Sequence, residues 1–230
     1  NNGLPTGWSQ PWYGGWGGVN EIGTADLSGN RVLKFNAAES SRIHRAINYD
    51  LSAIPDNCTL NISYKSYLHS EIGKAFFQPL FITQADTNAW LLTENYYNSN
   101  DGHSGGMSVS AGSAYEMHGG RTVVPEADFK FDEWYTVNAK YVMDGVSNAK
   151  ASYEISDSTG AVVATVNDIN VSNGCIKPKA FSFDLYYNNF DAANYLYVDD
   201  VKISYTYEAN TVKSLRLVNL DGETLMPTAQ

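Results

Sequence analysis

Tyr195-Leu196-Tyr197-Val198-Asp199-Asp200-Val201-Lys202-Ile203-Ser204-Tyr205 is the clearest strand of the chain. Its β-branched and aromatic residues favour an extended backbone. Alternation with a period of two places Tyr197, Asp199, Val201, Ile203 and Tyr205 on one face, and Leu196, Val198, Asp200 and Lys202 on the other. Asp199 therefore shares a face with the most apolar run. Because bare burial of a carboxylate is costly, we expect it to be hydrogen-bonded, ion-paired or metal-bound.

The order tyrosine, hydrophobic residue, Asp, Asp, Val, hydrophobic residue in this strand resembles the closing strand of jelly-roll carbohydrate-binding modules, which are similar to concanavalin and laminin-G sandwiches. The resemblance spans roughly Leu4 to Tyr207. It implies that the last strand packs beside the first, often next to a structural calcium ion. Calcium takes several oxygen ligands, so the candidate ligands are Asp199, Asp200 and Glu21. A hydrogen-bonded structural aspartate is the alternative.

Composition supports an all-β protein with a real core. Of the 230 residues, 43% are hydrophobic and 17% are charged, and short alternating runs recur between Gly, Asn, Asp and Ser clusters. Two of these runs are 60–65 and 133–142. In 76–82 both faces are apolar apart from Gln78, and Pro79 cannot donate to a ladder, so we expect it at an edge or a bulge. The prediction is an antiparallel two-sheet jelly-roll, or concanavalin-like, β-sandwich.

Charge and hydropathy exclude several partners. The formal net charge of −10 argues against nucleic acid, whose phosphates would be repelled, and against an anionic membrane surface. No apolar run approaches the ~18 residues of a membrane span, so we expect no membrane insertion. Cys58 and Cys175 form either one disulfide or two buried thiols, and neither lies in a CxxC motif.

The chain divides into two parts. We predict a β-sandwich carbohydrate-binding domain over residues 1–207. Residues 208–230 are then a linker and the first strand of a following module, or a C-terminal extension of the same domain. The chain opens Asn1-Asn2-Gly3, which suggests a mature or excised piece of a secreted or cell-surface bacterial protein. Other modules of the same parent chain are expected partners.

Trp12, Tyr13 and Trp16 are the strongest candidates for a binding site. They lie in the Gly-rich stretch 10–18, where an irregular backbone leaves the rings little covered by their neighbours. Sugars stack their C–H faces on flat aromatic rings. The alternative is that the rings fold back over one end of the sandwich. Trp8, at a strand start, and Trp134, in a strand that resembles a laminin-G tryptophan strand, are predicted to be core residues.

Two further patches are candidates for carbohydrate binding. Asp184 and Tyr186 share the polar face of a strand, next to Asn188, and resemble the wet concave face of jelly-roll modules; an ordinary solvated face is the alternative. Tyr96, Tyr97 and His118 lie in the polar stretch 95–120, which we predict to be a long loop with one short strand at 107–109.

Catalytic motifs are not visible. The laminarinase-like jelly-roll enzymes carry Glu-x-Asp-x-x-Glu, whereas Glu126 and Asp128 are here followed by Phe131 in place of the second glutamate. Polysaccharide lyases on related sandwiches use Arg, Gln, His and Tyr on a concave face. The chain offers four such residues, which nothing in the sequence brings together: Arg121, Gln78, His69 and Tyr67.

We therefore predict a non-catalytic, polysaccharide-binding protein that acts through aromatic stacking and hydroxyl hydrogen bonds. The Tyr- and Asn-rich, acidic character is similar to that of starch-binding modules from gut-bacterial starch-adherence proteins, so α-glucan is the leading ligand. Plant cell-wall glycans (β-glucan, xylan or pectin) are the alternative. A polysaccharide lyase or glycoside hydrolase with an unrecognised site is the competing class.

Overall fold

A computed structural model describes residues 6–9, 22–36, 43–69, 75–82, 90–97, 106–111, 121–125, 130–145, 149–171, 178, 180–187, 195–207, 217–218 and 224–225. These residues form strands and turns, and no helix. The strands are β1 (Trp8–Ser9), β2 (Ile22–Leu27), β3 (Asn30–Asn36), β4 (Ile43–Asp50), β5 (Cys58–Leu68), β6 (Ala75–Ile82), β7 (Trp90–Tyr97), β8 (Gly106–Ala111), β9 (Arg121–Pro125), β10 (Trp134–Met143), β11 (Ala149–Ser156), β12 (Val162–Val171), β13 (Ala180–Tyr187), β14 (Tyr195–Tyr207), β15 (Leu217–Val218) and β16 (Thr224–Leu225).

Two antiparallel sheets of seven strands each make up the sandwich. Sheet A has the order β1-β4-β13-β6-β7-β8-β9, and sheet B has the order β12-β11-β10-β5-β14-β3-β2. The predicted jelly-roll sandwich is confirmed. The strand β14 lies between β5 and β3, and not beside the first strand as expected, because β1 pairs with β4 in the other sheet.

The core forms where alternate residues of facing strands meet. In β5, residues from Cys58 to Leu68 alternate between buried and partly exposed, and β10 alternates in the same way. Trp8 packs against this core, with its ring stacked on Phe183 at a centroid distance of 5.4 Å, as predicted. Alternation thus leaves one face of sheet B for the core and one outer face for other contacts. In sheet A, Ala180, Phe181, Ser182 and Phe183 are all buried, so both faces of β13 are covered at this end.

Pro79 does not lie at an edge. It pairs with Phe183 in β6, which is a central strand of sheet A between β13 and β7. The position is tolerated because the ladder towards β7 is interrupted: its pairs pass from Phe77 directly to Leu80. A proline has no N–H to donate, and a gap in the ladder is where the loss of a donor costs least.

The predicted faces of β14 are wrong beyond Asp199. The pairing with β5 shifts by one residue between Asp199 and Lys202, and Asp200 has a φ of 50°. This β-bulge exchanges the two faces. Leu196 and Val198 are buried before it, whereas Val201 and Ile203 pack on the core after it. Asp199 is therefore on the outer face, in the alternation of Tyr197.

The last described residues form a short hairpin of β15 and β16. The division of the chain at residue 207 stays a prediction. Cys58 is buried in the core, and Cys175 lies outside the described residues, so their pairing also stays open. The described part of the chain contains no helix long and apolar enough to cross a membrane.

Replacing Phe183 by Ala tests the core. Phe183 is fully buried and packs edge to face against Tyr64 of the opposite sheet. We expect the free energy of unfolding to fall by about 3–5 kcal/mol, measured by urea denaturation. Val162→Ala, at a position that is 55% exposed, is the control and should change it by about 0.5 kcal/mol or less. Equal effects of the two substitutions would contradict the assigned core.

Candidate functional site

The outer face of sheet A gathers polar residues from three adjacent strands. Phe183 pairs with Ile47 and both are buried, so the strand positions next to them belong to the opposite, outer face. On that face Asp184 lies opposite Gln78 of β6, and Tyr186 lies opposite His44 of β4. One amide, one carboxylate, one imidazole and one phenol therefore occupy neighbouring register positions.

One end of this face is tied by a hydrogen bond. The Ser182 hydroxyl donates to Oδ1 of Asn48, and Ser182 is fully buried. Ser182 and Asn48 are also paired in the backbone register of β13 and β4. The two strands that carry Asp184 and His44 are thus fixed to each other by side chains as well as by the ladder.

Two of the predicted carbohydrate contacts, Asp184 and Tyr186, are on this face. Tyr96 and Tyr97 were predicted to lie in a loop, but they are the last two residues of the strand β7. The short strand expected at 107–109 is part of β8. Because consecutive strand residues alternate, Tyr96 and Tyr97 belong to opposite faces of sheet A. The binding roles of all four remain predictions.

The other predicted site residues fall outside the described residues. They are Trp12, Tyr13, Trp16, His118, Asn188 and the candidate calcium ligand Glu21. Their roles therefore also remain predictions.

The four residues named for a lyase site are not brought together. Gln78 is in a central strand of sheet A, and Arg121 is the first residue of the edge strand β9. Tyr67 is near the end of β5 in sheet B, and His69 lies just after that strand. The residues that share the face of Gln78 are instead His44 and Tyr186. The sequence identified Tyr186 but not its neighbour His44, because these two residues are 142 positions apart and only the pairing of β4 with β13 makes them adjacent.

The outer face of sheet B carries an aromatic row, which we define as Tyr67, Trp134, Tyr195 and Tyr197. Tyr67 pairs with Trp134 on one side and with Tyr197 on the other. The ring centroids of Tyr67 lie 5.5 Å from Trp134 and 5.7 Å from Tyr197. The ammonium of Lys34 lies 4.9 Å above the Tyr195 ring, within the range of a cation–π contact.

Trp134 is therefore not a core residue, contrary to the prediction. The core face of β10 is formed by Tyr135, Val137 and every second residue after them. Trp134 is on the opposite face and is only partly buried. The alternation of Leu60, Ile62 and Tyr64 along β5 is the signal that already assigns Tyr67 to the outer face. The aromatic row was missed because its members come from three different strands.

The pKa of the Tyr67 phenol is raised by its surroundings in the aromatic row. Its hydroxyl donates a hydrogen bond to Oδ1 of Asp132 at 3.2 Å. Burial against the neighbouring rings, and then the negative charge of Asp132, raise the pKa of Tyr67 to about 12. Burial likewise raises the pKa of Tyr195. Both phenols are therefore neutral hydrogen-bonding groups at physiological pH.

The two aspartates of β14 already have partners. Asp199 accepts a hydrogen bond from Nδ2 of Asn30 at 2.7 Å, and Asp200 forms an ion pair of 2.7 Å with Lys65. The hydrogen bond from Lys65 lowers the pKa of Asp200. An ammonium at this distance fits a calcium site poorly. Among the described residues no group of three His, Cys, Asp or Glu side chains is placed to hold a metal ion. Calcium stays a prediction, which a rise in melting temperature on adding calcium would support.

No protein-family profile and no curated protein sequence matches the chain. Solved structures do match it. The PL-14 alginate lyase from Aplysia kurodai has a TM-score of 0.54 at 12% identity, over 81% of this chain and 88% of the lyase. The endo-β-1,4-glucuronan lyase from the fungus Trichoderma reesei has a TM-score of 0.54 at 13% identity, over 88% of this chain and 96% of the lyase. At these identities the likeness shows the β-sandwich fold alone.

The prediction that the chain is not an enzyme is contradicted by these matches. Both structures are polysaccharide lyases, and their sandwich corresponds to most of this chain. The prediction failed because it rested on the absence of sequence motifs. Residues from separate strands become neighbours through pairing and leave no such motif, as the register positions of His44 and Tyr186 show.

Asp132→Asn tests the electrostatics of the aromatic row. Asp132 has a φ of 60°, a conformation that asparagine adopts readily, so the backbone should be kept. Loss of the carboxylate should lower the pKa of Tyr67 from about 12, while burial keeps it above 10.0. Because the folded pKa is the raised one, the free energy of unfolding should fall between pH 10 and pH 12, and less so in the variant. Tyrosine ring NMR titration measures this; an unchanged pKa would contradict the role of Asp132.

Proposed function

We propose that the chain is a polysaccharide lyase that cleaves a uronate-containing polysaccharide on the outer face of sheet A. The observation that carries the proposal is the register that sets Gln78, Asp184, Tyr186 and His44 side by side across three strands. The likeness in fold to two uronan lyases agrees with it. In this proposal the polysaccharide runs across β4, β13 and β6.

The chemistry is β-elimination. A base removes the proton from the carbon next to the uronate carboxylate, the neighbouring C–O bond breaks as a C=C bond forms, and the leaving sugar oxygen takes up a proton. The reaction needs a proton acceptor, a proton donor and hydrogen bonds that stabilise the charge growing on the carboxylate. We assign proton transfer to Tyr186 and His44, and stabilisation of the carboxylate to the amide of Gln78.

Hydrolysis fits this face less well. It needs two carboxyl groups within about 5–10 Å of each other. Among the described residues of β4, β13 and β6, the second carboxylate in this alternation is that of Asp50, four residues along β4 from Ala46, the partner of Asp184. At about 3.3 Å per residue this is about 13 Å. Asp50 also accepts a hydrogen bond from the backbone N–H of Ser52, which gives it a structural role in the turn.

Location outside the cell and the identity of the polysaccharide can be addressed together with the lyase activity. Location outside the cell fits a polymeric substrate, and we propose it on that ground. α-Glucan binding at Trp12 and Trp16 remains a separate prediction, because a neutral glucan has no carboxylate that would allow β-elimination. A panel with alginate, polyglucuronate, polygalacturonate, xylan and starch distinguishes these possibilities.

Turnover of the panel tests the proposal. We expect one polyuronate to give a product with the ultraviolet absorbance of an unsaturated uronate. Tyr186→Phe and Gln78→Ala should each lower this rate about 10²–10⁴-fold. Lys140→Ala, at an exposed position on the outer face of sheet B, is the control and should keep the full rate. New reducing ends without unsaturation, or no turnover of any polyuronate by the folded protein, would contradict the lyase assignment.

Ionic strength gives a second test. The chain carries a formal net charge of −10, which repels a polyuronate at long range. The screening length falls from about 30 Å at 0.01 M salt to about 8 Å at 0.15 M. We therefore expect KM for the polyuronate to fall as salt is raised over this range, with kcat little changed. A KM that rises instead would mean that local cations dominate substrate binding.

A further inference from the structure

A groove of about 600 Å³ lies on the outer face of sheet B, beside the aromatic row. Its floor is a cross-strand line of Thr136, Lys65 and Asp199, which are register partners in β10, β5 and β14. Trp134, the next outward residue of β10, lines the same groove. The groove is thus continuous with the aromatic row and is formed entirely by described residues.

Two turns form the walls, and hydrogen bonds hold both in place. In the turn after β11, Oδ1 of Asp157 accepts hydrogen bonds from the backbone N–H and the hydroxyl of Thr159, at 2.9 and 2.7 Å. In the turn between β2 and β3, Oδ1 of Asp26 accepts one from the N–H of Gly29 at 2.7 Å. A groove shaped in advance loses little conformational entropy when a ligand binds.

The groove combines a flat ring with groups that bind hydroxyls. Trp134 offers an apolar face, Asn30 and Thr136 offer an amide and a hydroxyl, and Asp199 offers an acceptor. Asn30 and Asp199 are already oriented by the 2.7 Å hydrogen bond between them. This pairing of one aromatic face with a few fixed polar groups is the chemistry that sugar rings require.

Charge decides which class of sugar fits. Lys65 is the one cation that lines the groove, and it is neutralised by the ion pair with Asp200. The other charged groups of the lining, Asp157 and Asp199, are both acidic. A uronate would meet this excess negative charge, whereas an uncharged sugar would not.

From these features we propose that the groove is a second carbohydrate site, which binds a segment of a neutral polysaccharide with one sugar ring against Trp134. The site is on the opposite side of the sandwich from the proposed lyase face. It does not depend on the lyase activity, and it would hold the protein on a neutral glycan while the other face acts on a uronate polymer.

Affinity electrophoresis of the whole chain tests the site. Native gels contain soluble mixed-linkage β-glucan, arabinoxylan or starch, or polygalacturonate as the charged counterpart. We expect at least one neutral glycan to retard the protein, independently of salt. Trp134→Ala and Thr136→Phe, which fills the floor, should each weaken retention about tenfold or more. Val142→Thr, at an exposed position on the same strand, should leave it unchanged.

The outcomes separate this site from the lyase proposal. If Trp134→Ala lowers the melting temperature strongly, Thr136→Phe and Asn30→Ala, both at positions outside the core, decide the question. Three outcomes would each overturn the proposal. The first is that no neutral glycan retards the protein, and the second is that retention survives both Thr136→Phe and Asn30→Ala. The third is that polygalacturonate retards the protein and Thr136→Phe abolishes this. The unsaturated product reports only on the proposed lyase face. The groove variants should therefore form this product at the full rate.

Discussion

Between the two sheets, the ring of Tyr64 meets that of Phe183 edge to face at a centroid distance of 5.1 Å. Tyr64 belongs to β5 of sheet B and Phe183 to β13 of sheet A, so this contact joins the two layers. It requires odd positions of β13 and even positions of β5 to be directed inward. The residues that alternate with Tyr64, such as Lys65 and Tyr67, are then on the outer face of sheet B, and on sheet A Asp184 and Tyr186 occupy the register positions that alternate with Phe183. The two outer faces are therefore consequences of the packing of one core.

The faces differ in character because their strands differ in composition. On sheet A, the positions of β4, β13 and β6 that alternate with the buried Ile47 and Phe183 hold His44, Asp184, Tyr186 and Gln78 in adjacent rows, and the proposed proton transfer is assigned to residues of this set. On sheet B, the ring of Tyr67 packs against those of Trp134 and Tyr197, so this face is mainly aromatic. Asp199 is on the second face by its alternation with Tyr197. The bulge adds Asp200 to this face, because Asp200 is exposed and ion-paired with Lys65, whereas regular alternation would direct it to the core.

The sequence was sufficient for the fold class and for most strands, since alternating runs such as 60–65 and 133–142 depend only on local pattern. It was not sufficient where pairing or a local irregularity decides. Pro79 is central because the ladder beside it is broken on one side, and the faces of β14 exchange because one additional residue enters that strand. Of the candidate site, Asp184 and Tyr186 could be found from alternation within one strand. Their neighbours Gln78 and His44 could not, because only the strand order of sheet A makes them adjacent.

The central claim is that a uronate polymer lies across β4, β13 and β6. Backbone amide NMR of the ¹⁵N-labelled protein, titrated with a short oligouronate, tests it most directly. The account predicts that shift changes concentrate at positions 44–48, 76–80 and 182–186 and spare 61–67 and 134–138. Changes confined to the second group, or none at concentrations that support turnover, would contradict it.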